Sequence, residues 1–230
     1  SNNSTAAVSG SADDIVLEQW HHIAFVRVSN SASIYVNGVK KAGPTTMAGT
    51  MAAAPTGRAY IGTQSYDPGN ANRTINGFIS DFRIHNTCLY TNDFTPPTTK
   101  LTATSGTQYL MAAATPGIYD GAAGIGNTPG ANYPLKLFGN TESSTATKKY
   151  ASSSMDFDGT GDYITFEHIG GLGDGDFTLE AWVYHDTLGT QSWFSSYRGS
   201  TGFNAGTDAD GDFFWNYNGS RLIDVASQIS

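Results

Sequence analysis

Short alternating segments dominate the chain, and no stretch shows the apolar spacing of an amphipathic helix over three turns. Residues 21–28, HHIAFVRV, alternate with period two and carry mostly apolar residues on both faces, which predicts a central strand. The pairs Asn37-Gly38 and Asn218-Gly219 are typical of type I′ turns, so each predicts a hairpin. Such a chain favours antiparallel sheets over a helical bundle.

The composition agrees with many short strands and narrows the class of ligand. Charged residues, which cover exposed helices, make up only 14% of the 230 residues, while glycine, which is common in turns, occurs 27 times. This composition favours many turns over exposed helices. A net charge of −8 disfavours nucleic acids and anionic lipids as partners, and it suits neutral ligands such as sugars, or cations. Cys88 is the only cysteine, which excludes an intrachain disulfide.

The apolar runs and the first residues of the chain indicate whether the protein enters a membrane and whether it carries a signal peptide. No run approaches the roughly 18 apolar residues of a membrane helix, so membrane insertion is not expected. The first residues, SNNSTAAVSGSADD, lack the basic and apolar regions of a signal peptide. Because the chain begins with Ser1 and has no initiator methionine, we expect a processed product or a piece of a longer protein.

Five segments together resemble the laminin G-like group of the concanavalin A-like jelly rolls. They are MDFDGTGDYITF, GDFTLEAWVY, WHHIAFVRV, IYVNGV and GFISDFRIHNTCLYTNDFTPP. The last segment is similar to repeats in long structural proteins of marine bacteriophages and environmental bacteria. The resemblance implies an all-β, antiparallel jelly-roll sandwich, but a fold of this kind does not specify one function.

The order of the segments is unusual for that family, in which FDGTGDYI and FTLEAWV come first. Residues 1–97 resemble the C-terminal half of a sandwich, and residues 151–230 resemble the N-terminal half. Residues 98–150 then hold a linker and the first strand of the next unit, TQYLMAA. The chain is therefore either a window across a tandem array, with two partial sandwiches, or one circularly permuted sandwich. We favour the window.

Two acidic loops raise the question of a metal site. The loop DGTGD at residues 158–162 has no following helix and no nearby lysine, so a strand-to-strand turn explains it better than a phosphate site. Asp208, Asp210 and Asp212 alternate along the loop GTDADGD, and closely spaced carboxylates are ligands that Ca²⁺ prefers. Calcium is the one cofactor that the sequence predicts, with a plain hairpin turn as the alternative.

Sugar binding commonly uses an aromatic platform beside polar groups. The candidates in the last segment of the chain are Trp193, Tyr197, Asn204, Trp215 and Tyr217. The alternative for the aromatic residues is burial, because Trp215 lies in an alternating strand, one face of which must pack in a core.

Enzyme chemistry is poorly supported. Relatives of this fold cleave β-glucans, which requires two carboxylates placed on one strand face. Glu180 and Asp81 each stand alone in their strands, so an active glycoside hydrolase is the least favoured alternative.

The sequence therefore predicts a non-catalytic carbohydrate-binding or adhesion module of a larger virion or extracellular surface protein. A phage fibre, appendage or decoration protein that recognises host glycan is the specific expectation, and it rests on the resemblance. Its partners would be cell-surface glycan or other surface proteins within a larger assembly. The alternative is a purely structural spacer or subunit-contact sandwich with no ligand.

Overall fold

The structure, a computed structural model, describes residues 15–49, 58–114, 117–120, 135–167, 175–196 and 202–225. In these ranges the regular structure is all β, with sixteen strands. A helix that could span a membrane is not found among the described residues. The strands are β1 (Trp20–Val28), β2 (Ser31–Val36), β3 (Val39–Thr46), β4 (Arg58–Ile61), β5 (Asn76–His85), β6 (Thr107–Ala114), β7 (Gly117–Asp120), β8 (Lys136–Phe138), β9 (Glu142–Ser144), β10 (Ser154–Asp158), β11 (Tyr163–Glu167), β12 (Phe177–His185), β13 (Gln191–Ser195), β14 (Phe203–Thr207), β15 (Phe213–Tyr217) and β16 (Ser220–Val225).

The strands form two antiparallel sheets that pack face to face. The first sheet has nine strands, with the order β3-β2-β1-β12-β5-β10-β9, and in addition β6 pairs with β5 and β7 pairs with β6. The second has seven strands in the order β16-β15-β14-β13-β4-β11-β8. The all-β sandwich that the sequence predicted is confirmed.

Aromatic rings join the two sheets in one core. Phe25 of β1 lies with its ring centroid 5.4 Å from Trp215 of β15, and Phe82 of β5 stacks on Phe194 of β13 at 5.2 Å. All four rings are at most 1% exposed. Because rings of this size dominate the apolar area removed from water, these contacts hold the layers together.

Two segments of the chain, residues 15–97 and residues 151–225, contribute strands to both sheets. Strand β12 lies between β1 and β5, so Leu179 pairs with Phe25 on one side and with Ile84 on the other. Residues 15–97 and 151–225 thus contribute strands to the same two sheets. The tandem window and the circular permutant both stay predictions.

Both predicted hairpin turns are present. Asn37 and Gly38 have φ values of 50° and 81°, and Asn218 and Gly219 have values of 46° and 81°. Positive φ at both central positions is what a type I′ turn requires. The turn residues therefore set the register of β2 with β3 and of β15 with β16.

The segment after β5, which belongs to one of the stretches that resemble the laminin G-like group, covers the outer face of the first sheet. We call residues 87–97 the strap. Its Tyr90 and Phe94 stack at 3.6 Å and pack with Cys88 on Ala24, Val26 and Tyr35. The Phe94 amide donates to the Gly38 carbonyl over 2.8 Å. The strap thereby buries the second apolar face of β1, which explains why that strand is apolar on both sides.

Candidate functional site

A cleft lies at one rim of the sandwich, and we call it the rim cleft. Its volume is about 400 Å³. Three of the connections that line it cross from one sheet to the other, namely those between β4 and β5, β10 and β11, and β12 and β13. The lining residues are Ala71, Asn72, Thr74, Asn76, Asp158, Gly159, Thr160, Thr187, Leu188, Gly189, Thr190, Gln191 and Ala209.

Gln191 holds the floor of the rim cleft in place. Its Oε1 accepts hydrogen bonds from the Asn76 amide, at 3.1 Å, and from His185 Nδ1, at 3.0 Å. Its Nε2 donates to the Thr187 carbonyl over 2.9 Å. Since Gln191 is only 4% exposed, these bonds fix the two connections before any ligand arrives.

The acidic loop forms another wall, and its aspartates serve the backbone. Asp162 accepts from the amides of Asp158, at 2.9 Å, and of Asn140, at 2.7 Å, while Asp158 accepts from the Thr160 amide at 2.7 Å. Gly159 and Gly161 have φ values of 82° and 79°. The turn interpretation of this loop is confirmed by these bonds and angles.

Hydroxyl and carboxamide groups dominate the chemistry of the rim cleft. The side chains of Asn72, Asn76, Thr160 and Thr190 line it and make no hydrogen bond to the described part of the chain. Leu188 adds an apolar surface that is 48% exposed. Groups that both donate and accept, beside one apolar patch, match a ligand that carries hydroxyls and a carbon skeleton.

Charges near the rim cleft select against anions. Burial raises the pKa of Asp156, and the nearby carboxylates of Glu142 and Asp186 raise it further. Asp158 itself lines the cleft. Because these carboxylates repel a negatively charged ligand, a neutral or cationic ligand suits this rim better than an acidic sugar does.

Trp193 lies beneath the floor of the rim cleft and is linked to Gln191 through His185. Its indole Nε1 donates to His185 Nε2 over 2.9 Å, so His185 carries its proton on Nδ1 and donates it to Gln191. Burial lowers the pKa of His185 to about 4, which keeps the ring neutral at pH 7. Trp193 is 3% exposed and therefore acts through the floor of the cleft rather than as an open platform.

Trp215 and Tyr217, two further aromatic candidates from the sequence, have little exposed surface. Trp215 is fully buried in the core, and Tyr217 is 9% exposed at its edge. Tyr197 lies outside the described residues. The physical reason is strand alternation, which sends Trp193, Trp215 and Tyr217 to the core-facing side of their strands. Asn204, on the opposite face of its strand, lines a smaller cleft with Asn216.

The candidate calcium ligands form a compact turn. Asp208 Oδ1 accepts from the amides of Asp210 and Asp212 at 3.2 and 3.1 Å, and its Oδ2 lies 3.5 Å from Arg221. Within the described ranges, no group of three or more His, Cys, Asp or Glu side chains is disposed to hold a metal ion. Calcium at Asp208, Asp210 and Asp212 stays a prediction.

Glu180 has partners that its strand sequence did not reveal. Its Oε1 accepts from Arg83 Nε at 2.8 Å, and its Oε2 accepts from Tyr90 at 2.8 Å and lies 3.0 Å from His22 Nε2. Burial alone would raise the pKa of Glu180, but the His22 hydrogen bond and the Arg83 charge outweigh burial and lower it. Because Glu180 is 0% exposed and its carboxylate is bonded to three side chains, its role is structural.

Sequence reasoning missed most residues of the rim cleft. The signal lay in two connections rich in hydroxyls and amides, SYDPGNANRTIN at residues 65–76 and HDTLGTQ at residues 185–191. Each reads as an ordinary turn by itself. Only the sheet topology, which brings β5, β10 and β13 to the same rim, places the two connections together.

Fold and site together define an antiparallel β-sandwich with a polar cleft between its loops. The family model of the concanavalin A-like lectin/glucanases superfamily, of the laminin G type, matches residues 1–93. Its members are often carbohydrate-binding or adhesion modules, generally non-catalytic and typically extracellular or surface-exposed. No match was found in a search of curated proteins or in a search of solved structures.

Proposed function

We propose that this chain is a non-catalytic carbohydrate-binding module that holds a neutral glycan in the rim cleft. The observation that carries the proposal is the lining of that cleft by Asn72, Asn76, Thr160 and Thr190, whose side chains are available to a ligand. The rigid floor around Gln191 favours binding, because little conformational entropy is lost when a ligand arrives.

The wider setting is a larger extracellular or virion surface protein, such as a phage fibre, appendage or decoration protein. This part of the proposal rests on the resemblance of the segment at residues 77–97 to repeats in such proteins. A glycan on a host cell surface would then be the ligand, and binding would serve adhesion.

A glycan array on the whole chain, with and without Ca²⁺, tests the proposal. Neutral glycans are expected to bind, and Asn72→Ala and Thr190→Val are expected to remove most of the signal. Asn92→Ala, an exposed asparagine of the strap, is the matched control and should bind as the wild type does. Arrays that stay blank in both conditions would favour the structural spacer instead.

Glycoside hydrolysis is the competing chemistry, and the surroundings of Glu180 argue against it. A retaining glycosidase needs a second carboxylate about 5–5.5 Å from the first, with both open to the sugar. Glu180 is 0% exposed, Tyr90 of the strap donates to its Oε2, and Arg83 donates to its Oε1. Release of reducing sugar from polysaccharides would revive the hydrolase alternative.

A further inference from the structure

Three aromatic side chains stand side by side on the outer face of the first sheet, and we call them the aromatic row. Register pairs Tyr184 of β12 with Trp20 of β1 and with Phe78 of β5. The ring centroid of Tyr184 lies 5.5 Å from that of Trp20 and 5.7 Å from that of Phe78. The strand neighbours Val183 and Ile79 belong to the core, so alternation points the row outward. All three side chains are partly exposed, and none of them lines the rim cleft.

Four carboxylates border the aromatic row. Register continues the row from Phe78 to Asp156 of β10 and from there to Glu142 of β9. Partial burial raises the pKa of the Tyr184 hydroxyl, and the nearby charges of Glu18 and Asp186 raise it further. Within the described ranges, none of the four carboxylates forms an ion pair. Negative charge beside the row is therefore not neutralised by the described part of the chain.

The same face already shows an aromatic ring that holds a cation. Trp182 lies two residues from Tyr184 along β12 and also points outward, and Lys149 Nζ lies 4.3 Å from the centroid of its ring. The electron-rich face of a ring attracts such a cation. Among the described residues, no lysine or arginine lies over a ring of the aromatic row. The chain thus supplies a cation for Trp182 and none for the row.

Repulsion between the carboxylates favours a positively charged ligand. Burial raises the pKa of Asp186, and the charge of Glu18 raises it further, so the two carboxylates disfavour each other's ionised form. A cation bound between them would relieve that repulsion. The net charge of −8 adds a general attraction for cationic partners in solution.

The spacing of the rings indicates the form of the cationic partner. Residues i and i+2 of an extended peptide point to the same side about 6.6–6.8 Å apart, which is close to the distances between the rings. A guanidinium group stacks on aromatic rings and pairs with carboxylates through two parallel hydrogen bonds, which an ammonium group cannot do. The matching sequence is Arg-x-Arg. In this chain no two of the 12 lysines and arginines stand two positions apart, so a second copy does not supply the motif.

We infer that the aromatic row and its four carboxylates form a docking surface for an extended Arg-x-Arg segment of another protein. The two guanidinium groups stack on rings of the row, and their N–H groups donate to the carboxylates beside it. This surface is separate from the rim cleft, so the chain holds a basic partner protein while the rim cleft stays open to its own ligand.

NMR titration of the ¹⁵N-labelled chain with blocked pentapeptides tests the inference. The probes are TRTRT, TKTKT and the neutral TQTQT. At low salt, TRTRT is expected to shift the indole Nε1–H signal of Trp20 with a Kd of about 1 mM or below. TKTKT should bind several-fold more weakly, because ammonium groups stack poorly on rings, and TQTQT should leave the signal unchanged. Added salt should weaken TRTRT binding, since exposed charges are screened.

Two pairs of variants separate the rings from the charges. Tyr184→Leu keeps an apolar side chain but removes the ring, and it should weaken TRTRT binding about fivefold. Tyr66→Leu, at a tyrosine that is 49% exposed outside the row, is the control and should bind as the wild type does. Asp186→Asn should weaken binding about threefold without lowering the melting temperature, because it removes repulsion. Asp67→Asn, at another exposed aspartate, should leave binding unchanged.

Three results would overturn the inference. The first is a Trp20 signal that responds to TRTRT no more than to TQTQT. The second is equal binding of TRTRT by Tyr184→Leu and the wild type, which would mean that the rings hold no cation. The third is a Trp20 signal that shifts with protein concentration alone, which would identify a second copy of the chain as the occupant.

The rim-cleft variant Asn72→Ala keeps this inference distinct from the proposed function. It should bind TRTRT as the wild type does. A chain that binds TRTRT but no glycan would reject the proposed function and support the docking surface.

Discussion

Arg83 and Glu180 form a buried ion pair between the two strand-rich segments of the chain. Arg83 Nε lies 2.8 Å from Glu180 Oε1, and the two side chains are 10% and 0% exposed. They face each other because β5 and β12 pair with Arg83 opposite Glu180. The pair thus joins residues 15–97 to residues 151–225 across β5 and β12.

Removing one partner of this pair should be costly. Arg83→Met leaves the Glu180 carboxylate buried beside His22 and Tyr90 alone, and we expect a loss of about 3–5 kcal/mol in the free energy of unfolding. Guanidinium unfolding measures it. Arg58→Met, at an exposed arginine, is the control and should stay within about 0.5 kcal/mol of wild type. Equal stabilities for the two variants would show that the pair is dispensable.

Two buried groups should give opposite slopes of stability with pH. His185 has a pKa of about 4, below its unfolded value, so the unfolded chain binds more protons between about pH 4 and 6.5 and stability rises with pH there. Burial raises the pKa of Asp81 from 3.8 to about 6, so the folded chain binds more protons and stability falls with pH in that window. The two slopes offset each other.

Asp81→Asn should therefore expose the slope of His185. Relative to wild type, the stability of the variant is expected to rise with pH by about 1.4 kcal/mol per unit between pH 4 and 6. It should also be more stable than wild type at pH 7, since a buried carboxylate is removed. Asparagine tolerates the φ of 54° that Asp81 adopts. Parallel pH profiles for the two proteins would contradict this account.

Two glycines of the loop at residues 158–162 offer a matched pair. Both have positive φ, but a Cβ on Gly159 would lie 2.9 Å from Asn76 Cβ, whereas a Cβ on Gly161 would meet nothing within 4 Å. Gly161→Ala should cost about 1 kcal/mol from backbone strain alone. Gly159→Ala should cost more and weaken rim-cleft binding, because Asn76 has to move. Thermal melts and the glycan array together check both effects.

Calcium binding predicted from the sequence has its own test. If Asp208, Asp210 and Asp212 hold Ca²⁺, the ion should raise the melting temperature, since a ligand that binds only the folded state stabilises it. Asp210→Asn should remove that increase, and Asp67→Asn, at another exposed aspartate, should keep it. A melting temperature that does not respond to Ca²⁺ or to a chelator would count against the metal.

The sequence was informative where local chemistry decides the structure. Asn37-Gly38 and Asn218-Gly219 specify their turns by conformation alone, and the alternation in β1 specifies a central strand. Site residues were harder, because alternation says that one face is buried without saying which. Trp193 and Trp215 were therefore assigned to a ligand and lie in the core.

Tertiary contacts explain what the sequence could not show. The partners of Glu180 lie on other strands and in the strap, far away in the chain, so its strand gave no sign of them. Likewise, Gln64 and Asn204 meet only because the connection after β4 folds over β14. Such groupings follow from the register of many strands at once and cannot be read from any one segment.

Isothermal titration of the whole chain with a neutral glycan selected on the array tests the central claim most directly. We predict saturable binding that falls at least about tenfold in Asn72→Ala and Thr190→Val, with Asn92→Ala unchanged. Binding that is the same in the rim-cleft variants and in the control would contradict the assignment of the glycan to the rim cleft.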